Sequence, residues 1–448
     1  MLHDLPFATL SDLSRRLASG EATSVALVQA CLDNIAAQDA KLHAFVEVYR
    51  ADALRNAREA DAQRKHGAVR GPLHGLPIAV KDLFHLEGRQ TTAGSKSWIG
   101  RLSRETAASL ERLIDAGMIP LGKTHLVEFA YGTWGTNKPM GAPWNPWDRA
   151  VHRVAGGSSS GSAVAVASGM APAALGTDTG GSVRIPAALC GLTGFKPTYG
   201  AIPVDGVVAL STTLDSIGPI TRSVDDAILL FEAMAGRSLA NVEGSRFVVT
   251  ALSPEQFPAF IEPDIVATFE RTITALRSQG AVVNVERVPF DFDALGTRNG
   301  RLIAIEAYAQ HRDYIEDASY DIDPGVRARI VAAKSATAAE HRAALDERRR
   351  EMQRFADWMR EREALLTPML PITARPLTDV DETQYPLATW SRAVNYLGAC
   401  AISLPAGFSS TGLPIGMQFI AKADDDALLG AIGRRFQSTS DWHLRRPA

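Results

Sequence analysis

The sequence predicts a single α/β/α domain over residues 1–448, with a central mixed, largely parallel sheet covered by helices on both faces. Short apolar runs of strand length, bounded by Gly and Pro, recur at 75–82, 119–122 and 171–176. Helical spacing of apolar residues at 106–118 and 162–169 separates them, so helix and strand alternate in the α/β manner. Motif-bearing segments near residues 75 and 420 need a shared core, which overrules the prior of about three domains that chain length alone suggests.

From Thr9 to about Arg64 apolar positions recur at helical spacing, with Thr9 and Ser24 as N-caps and Gly20 as a stop, giving a helical N-terminal layer. Gly75-Leu-Pro-Ile-Ala-Val-Lys-Asp82 then reads as a buried strand whose one discordant residue is Lys81. A helix at 106–118 ends at Gly117, ahead of the short strand Ile119-Pro-Leu-Gly122. Residues 132–161, rich in Gly, Pro, Asn, Trp and Ser, form a long loop of the kind that carries function. A short helix of small residues follows at 162–169, then a strand at 171–176 and a second irregular segment at 177–200. Charged helical patterns at 262–278 and 335–363 make the stretch 240–365 a candidate helical cap or insertion over the site.

Composition narrows the classes of function. Lys plus Arg total 47 against 50 for Asp plus Glu, and a net charge of -3 creates no global field for nucleic acid or an anionic membrane. The Arg348-Arg349-Arg350 run is flanked by Asp346, Glu347 and Glu351 at helical neighbour spacing, so it reads as a solvated face laced with ion pairs. Asp4, Asp12, Arg15 and Arg16 interrupt any signal-peptide core, and the longest apolar stretch, 163–176, is broken by Ser168 and Pro172. A cytoplasmic protein is expected, without membrane or nucleic-acid partners. Cys31, Cys190 and Cys400 show no CxxC spacing, so neither a zinc site nor a disulfide framework is indicated.

Three segments carry residues suited to chemistry. Removing the Lys81 ammonium from water lowers its pKa toward neutrality and makes the amine a candidate general base. Gly156-Gly-Ser-Ser-Ser-Gly-Ser162 places four hydroxyls on a glycine-rich turn, without the lysine a Walker A phosphate loop needs. Within it Gly157-Ser-Ser-Ser-Gly161 also satisfies GxSxG, which would make Ser159 the nucleophile of an α/β-hydrolase served by His311, His341 or His443, although no HGGG-type oxyanion segment precedes it. Thr177-Asp-Thr-Gly-Gly-Ser182 is a second glycine-rich turn, with Gly180 and Gly181 expected at positive φ and backbone N–H groups able to converge on an oxyanion.

Taken together, GLPIAVKD at 75–82, GGSSSGSA at 156–163 and GTDTGGSVRIPAALCGLTGFKPTYG at 176–200 resemble the amidase signature family. The resemblance extends through LDSIGPITRSVDD at 214–226 and SLPAGFSSTGLPIGMQFIA at 403–421. It implies an amidohydrolase in which Lys81, Ser158 and Ser182 form the triad, the Gly157–Ser158 peptide is cis, and Ser182 forms an acyl-enzyme. It further implies an oxyanion hole from the N–H groups of Thr179, Gly180, Gly181 and Ser182, bracing by Asp178 and Arg184, substrate contact by Tyr131, and no cofactor or metal.

The substrate expected on this reading is a small amide, anilide or carbamate, with esterase or urethanase side activity. Trp134, Trp144 and Trp147 tilt it toward an aryl group. An alternative is the glutamine-hydrolysing component of a tRNA-dependent amidotransferase, although the segment 135–157 departs from the proline-glycine entry associated with that component. The Ser159 esterase and an inactive scaffold remain as further alternatives, and oligomeric state is not legible.

Overall fold

The computed structural model describes residues 2–240, 242, 247–381, 384 and 386–447. The ends of the expected 1–448 domain, and the parts of the 240–365 stretch at 241 and 243–246, lie outside the described residues.

Among the described residues the strands are β1 (Phe45–Val48), β2 (Pro77–Lys81), β3 (Ile119–Thr124), β4 (Ala174–Asp178), β5 (Thr193–Lys196), β6 (Ser216–Thr221), β7 (Val248–Leu252), β8 (Val282–Glu286), β9 (Ala364–Pro368), β10 (Cys400–Phe408) and β11 (Pro414–Ala421). They form one 11-stranded sheet in the order β1-β3-β2-β4-β6-β5-β10-β11-β9-β7-β8. The pairs β2–β3, β2–β4, β7–β8 and β7–β9 are parallel. The middle of the sheet, from β4 to β9, and the β1–β3 pair are antiparallel. The sheet is therefore mixed, with parallel pairing confined to two flanks. Residues 409–413 join β10 to β11, and a connection that short permits only an antiparallel pair.

Helices cover both faces: α1 (Leu10–Ser19), α2 (Ser24–Leu42), α3 (Arg50–Lys65), α4 (Ala108–Asp115), α5 (Ser160–Ala167), α6 (Arg184–Leu189), α7 (Val224–Ala235), α8 (Pro263–Ser278), α9 (Phe292–His311), α10 (Pro324–Val331), α11 (Ala338–Trp358), α12 (Ser391–Tyr396) and α13 (Asp426–Gln437). Thr9 caps α1 by accepting from Asp12 N–H, and Gly20 ends it at φ 77°. The cap of α2 is Thr23 rather than Ser24: Thr23 Oγ1 accepts from Ala26 N–H, while Ser24 N–H donates to Asp61 at 2.7 Å. Helix α5, Ser-Gly-Ser-Ala-Val-Ala-Val-Ala, is buried all round because its small side chains let it lie close against β2, β3, β4 and β6.

The expected helical cap over 240–365 is narrower than its charge pattern suggested. Strands β7 and β8 and helix α8 extend the sheet and its cover, because β7 (Val-Val-Thr-Ala-Leu) is almost wholly buried beside β9. What remains outside the sheet and its cover is α9, α10 and α11. Leu295, Leu302, Ile330 and Phe355 from these helices build a second core with Leu83, Phe129, Leu210 and Trp390 from the loops around the site.

Candidate active site

Lys81 ends β2 and is 0% exposed, flanked by β3 and β4, so its ammonium has no route to water. Nζ lies 2.8 Å from Ser158 Oγ and 2.8 Å from Thr177 Oγ1. Burial pushes the pKa down to about 7, against the opposing pull of Asp215 and Asp178. A neutral amine held this way can accept the Ser158 hydroxyl proton on its lone pair while donating to Thr177.

The Gly157–Ser158 peptide bond is cis. Glycine is required at 157 because a Cβ there would stand 2.8 Å from both Gly135 N and Val127 Cγ2. The turn is tied on three sides: Gly157 N–H donates to Thr133 O at 2.7 Å, Val127 N–H to Ser158 O at 3.2 Å, and Ser159 N–H to Ser182 O at 3.2 Å. The last of these joins the two serine-bearing turns.

The second turn leaves β4 at Asp178 and enters α6 at Arg184. Both side chains are 0% exposed and meet in a two-point pair, Arg184 Nε to Asp178 Oδ2 at 3.0 Å and Nη2 to Oδ1 at 2.8 Å. Arg184 also donates to Gln418 Oε1 at 2.5 Å and Asn395 Oδ1 at 2.6 Å, linking the turn to β11 and α12. Burial alone would raise the Asp178 pKa, but Arg184, then Lys196 and Val183 N–H, outweigh it and hold the carboxyl well below the usual range. Of the two glycines expected at positive φ, only Gly181 adopts it, at 122°. Its N–H donates to Asp178 Oδ1 at 2.8 Å, because that carboxylate folds back beneath its own turn. Gly181 is thus diverted from the expected donor set, leaving the N–H groups of Thr179, Gly180 and Ser182.

Thr179 is held from two further directions. Its Oγ1 donates to Asp215 at 2.6 Å, and its carbonyl accepts from Asn299 Nδ2 at 3.3 Å. Burial pushes the Asp215 pKa up to about 6, in spite of stabilising bonds from Thr179, Ser211 and Leu210.

Tyr131 is 8% exposed and its carbonyl accepts from Arg329 at 2.7 Å. It is not among the residues, Thr133, Trp134, Gly296 and Arg392 included, that line a cleft of about 230 Å³. Thr133 binds the Ser158 turn, and Arg392 lies against Gly180, so two of the residues lining the cleft also touch the two turns. The aryl preference drawn from three tryptophans loses two of them. Trp144 Nε1 donates to Asp148 O and its ring stacks on His152, while Trp147 Nε1 donates to Cys190 O at 2.8 Å and its ring packs on Phe408.

Ser159 Oγ is turned toward Thr177 O at 3.3 Å, and His341 is bound to Glu306 at 2.8 Å. His311 packs on Phe129 and bonds Tyr314. These contacts leave the Ser159 arrangement without an engaged histidine from either position.

Sequence reasoning missed Thr177, Asp215, Asn299 and Arg392. Thr177 stood within the quoted motif, where a hydroxyl one residue inside the strand end was the available signal. Asp215 was signalled by a carboxylate placed just before an apolar strand. It also missed Lys123, a second strand lysine, whose Nζ pairs with Asp82 at 3.0 Å with both side chains 1% exposed.

A family model described as Amidase matches residues 26–429. The chain is 34% identical to the A subunit of the glutamyl-tRNA(Gln) amidotransferase of Chloroflexus aggregans over 99% of each chain. A crystal structure of an amidase superposes with TM-score 0.89 at 32% identity, covering 96% of this chain and 99% of that one. The A subunit of the glutamyl-tRNA(Gln) amidotransferase of Thermotoga maritima superposes with TM-score 0.81 at 30% identity, covering 98% and 96%. The expectation of a small-molecule amide, anilide or carbamate as partner, with no nucleic acid involved, is corrected by these relatives, whose names carry both a tRNA and a subunit. No helix among the described residues is long and apolar enough to cross a membrane.

Proposed function

The chain belongs to the amidase family and is a hydrolase acting on carbon–nitrogen bonds, and from that premise we propose that it is the glutamine-hydrolysing component of a tRNA-dependent amidotransferase. The observation that carries this reading is the full-length match to such proteins, 34% identity over 99% of both chains. The buried contact between Lys81 and Ser158 at 2.8 Å supports the chemistry.

Neutral Lys81 takes the Ser158 hydroxyl proton as Ser158 takes that of Ser182, and Ser182 Oγ bonds to the carboxamide carbon of glutamine. The oxyanion is held by N–H groups of Thr179, Gly180 and Ser182, at about 3 kcal/mol for a well-placed donor. Collapse returns the proton through Ser158 to the departing nitrogen, the C–N bond breaks, and ammonia leaves a glutamyl ester on Ser182. Water, activated by the same relay, then releases glutamate. The ammonia passes to a partner protein that acts on the aminoacyl-tRNA, which places the chain in the compartment of translation.

The test is conversion of glutamyl-tRNA(Gln) to glutaminyl-tRNA(Gln), using glutamine as nitrogen donor, by this chain purified with the partner subunits of its own genome. Glutamine-dependent conversion is expected, and Ser182→Ala should convert only when free ammonia is supplied. Partners that convert with free ammonia but gain nothing from glutamine in the presence of the wild-type chain would refute the assignment.

The rate should also report the state of Lys81. Its depressed pKa means that the active neutral form accumulates above about pH 7, so kcat/KM should fall tenfold per pH unit below that point. Asp215 raises the Lys81 pKa, so Asp215→Asn should move this limb to lower pH. A pH profile without an acid limb between about pH 5 and 8 would remove Lys81 from the role of base.

A further inference from the structure

Helix α9 carries Gly296, Asn299 and Gly300 close together, although glycine inside a helix is destabilising relative to alanine. The space these glycines leave is used by Arg392. A Cβ on Gly296 would lie 3.8 Å from Arg392 Cβ, and one on Gly300 would lie 3.6 Å from Nη1. From the other side, a Cβ on Gly180 would lie 3.1 Å from Arg392 Cγ and 3.8 Å from Nε. The half-buried arginine therefore runs between α9 and the turn that carries Ser182, and it also lines the neighbouring cleft.

Beside it, Asn299 is 0% exposed and stands 3.3 Å, through Oδ1, from the same point on Gly180. Its Nδ2 donates to Thr179 O at 3.3 Å, which fixes the amide orientation, and its buried Oδ1 has no hydrogen-bond partner. A dry carbonyl acceptor left without a donor, next to a guanidinium, is complementary to a ligand that brings both an ammonium and a carboxylate.

We propose that Asn299 and Arg392 form the head-group subsite of the acyl pocket, Arg392 binding a substrate carboxylate and Asn299 Oδ1 accepting from the neighbouring ammonium. This rests on the glutamine reading above, since glutamine carries both groups on one carbon, three C–C bonds of about 1.5 Å each from the reacting carboxamide carbon. The subsite selects amides of α-amino acids and positions them. Neither residue enters the proton relay.

Three amides separate the two contacts: glutamine, glutaric acid monoamide, which keeps the carboxylate and lacks the ammonium, and butyramide, which lacks both. Steady-state kinetics of the full chain with its partner subunits should give kcat/KM falling in that order. Arg392→Met should lower the ratio of glutaric monoamide to butyramide by roughly 30-fold, mainly through KM. Asn299→Leu should lower the ratio of glutamine to the monoamide by roughly 10-fold. Because these are ratios within one protein, a general disturbance of the fold cancels.

Ratios unchanged in both variants would overturn the subsite while leaving glutamine hydrolysis standing. If wild type ignores glutamine but prefers the monoamide in an Arg392-dependent way, the glutamine reading and the Asn299 contact fall while the carboxylate contact stands. Calorimetric titration of glutamine, the monoamide and butyramide into the Ser182→Ala chain reads the same preferences without turnover, so an inactive preparation still decides. Equal binding of all three overturns the proposal.

Discussion

Replacing Ser182 by alanine should lower kcat for glutamine by about 10⁴- to 10⁶-fold, a loss of roughly 5–8 kcal/mol of transition-state stabilisation. The size follows from what is removed. Without the Oγ there is no acyl ester, and water would have to attack a bound carboxamide with only the oxyanion donors and positioning still in place. Lys81→Ala should cost a comparable amount, because an unrelayed serine hydroxyl is a poor nucleophile near pH 7 and the departing nitrogen would lose its proton source. The two changes should be far from additive, the double variant losing little more than either single one, since the groups act as one unit. Active-site labelling by an acylating probe, together with kcat, checks this. A Ser182→Ala chain that keeps about a tenth of its activity, or losses that simply add, would break the triad and return attention to Ser159. Ser182 is 4% exposed and small, so a melting temperature close to wild type should accompany the loss.

The parts of this site that were legible in the sequence are those written in contiguous residues. A lysine at the end of Pro-Ile-Ala-Val-Lys, a short apolar run bounded by Gly and Pro that reads as an inner strand, points to a buried amine, and Lys81 is 0% exposed. The two glycine-rich turns are legible for the same reason. What escaped is whatever folding brings from afar. Asn299 reaches Thr179 across 120 positions, and its own side chain reads as one polar residue among others on a helix. Gly296 and Gly300 were the local clue, because helix-interior glycines need a reason, and the reason lies on α12. The 240–365 stretch misled because α8 and α11 are long and highly charged, and their pattern overshadowed β7 and β8, five residues each. Edge strand β8 alternates only weakly, with Asn284 and Val285 both exposed, so its period-two signal is faint.

The largest stability effect should come from the brace beneath the turn that carries Ser182. Arg184→Met should destabilise the chain by about 3–5 kcal/mol, because it leaves Asp178 as a buried carboxylate whose remaining donors are N–H groups of its own turn. The guanidinium also satisfies Gln418, Asn395 and the Ser391 carbonyl, so its loss orphans acceptors on β11 and α12 as well as β4. Asp178→Asn should cost less, since an amide can still accept from Gly181 N–H, and the double variant should recover part of the Arg184→Met loss by removing the unpaired charge. The sign with pH follows from the depressed Asp178 pKa. The stabilisation is fully present above the ordinary carboxylate value of 3.8 and is lost as pH falls through the lower folded value, so wild type and Arg184→Met should converge in stability only in strong acid. Urea unfolding at neutral and acidic pH measures both. A neutral-pH difference below about 1 kcal/mol would show that the pair's mutual attraction merely offsets its desolvation, with the turn held by its backbone alone.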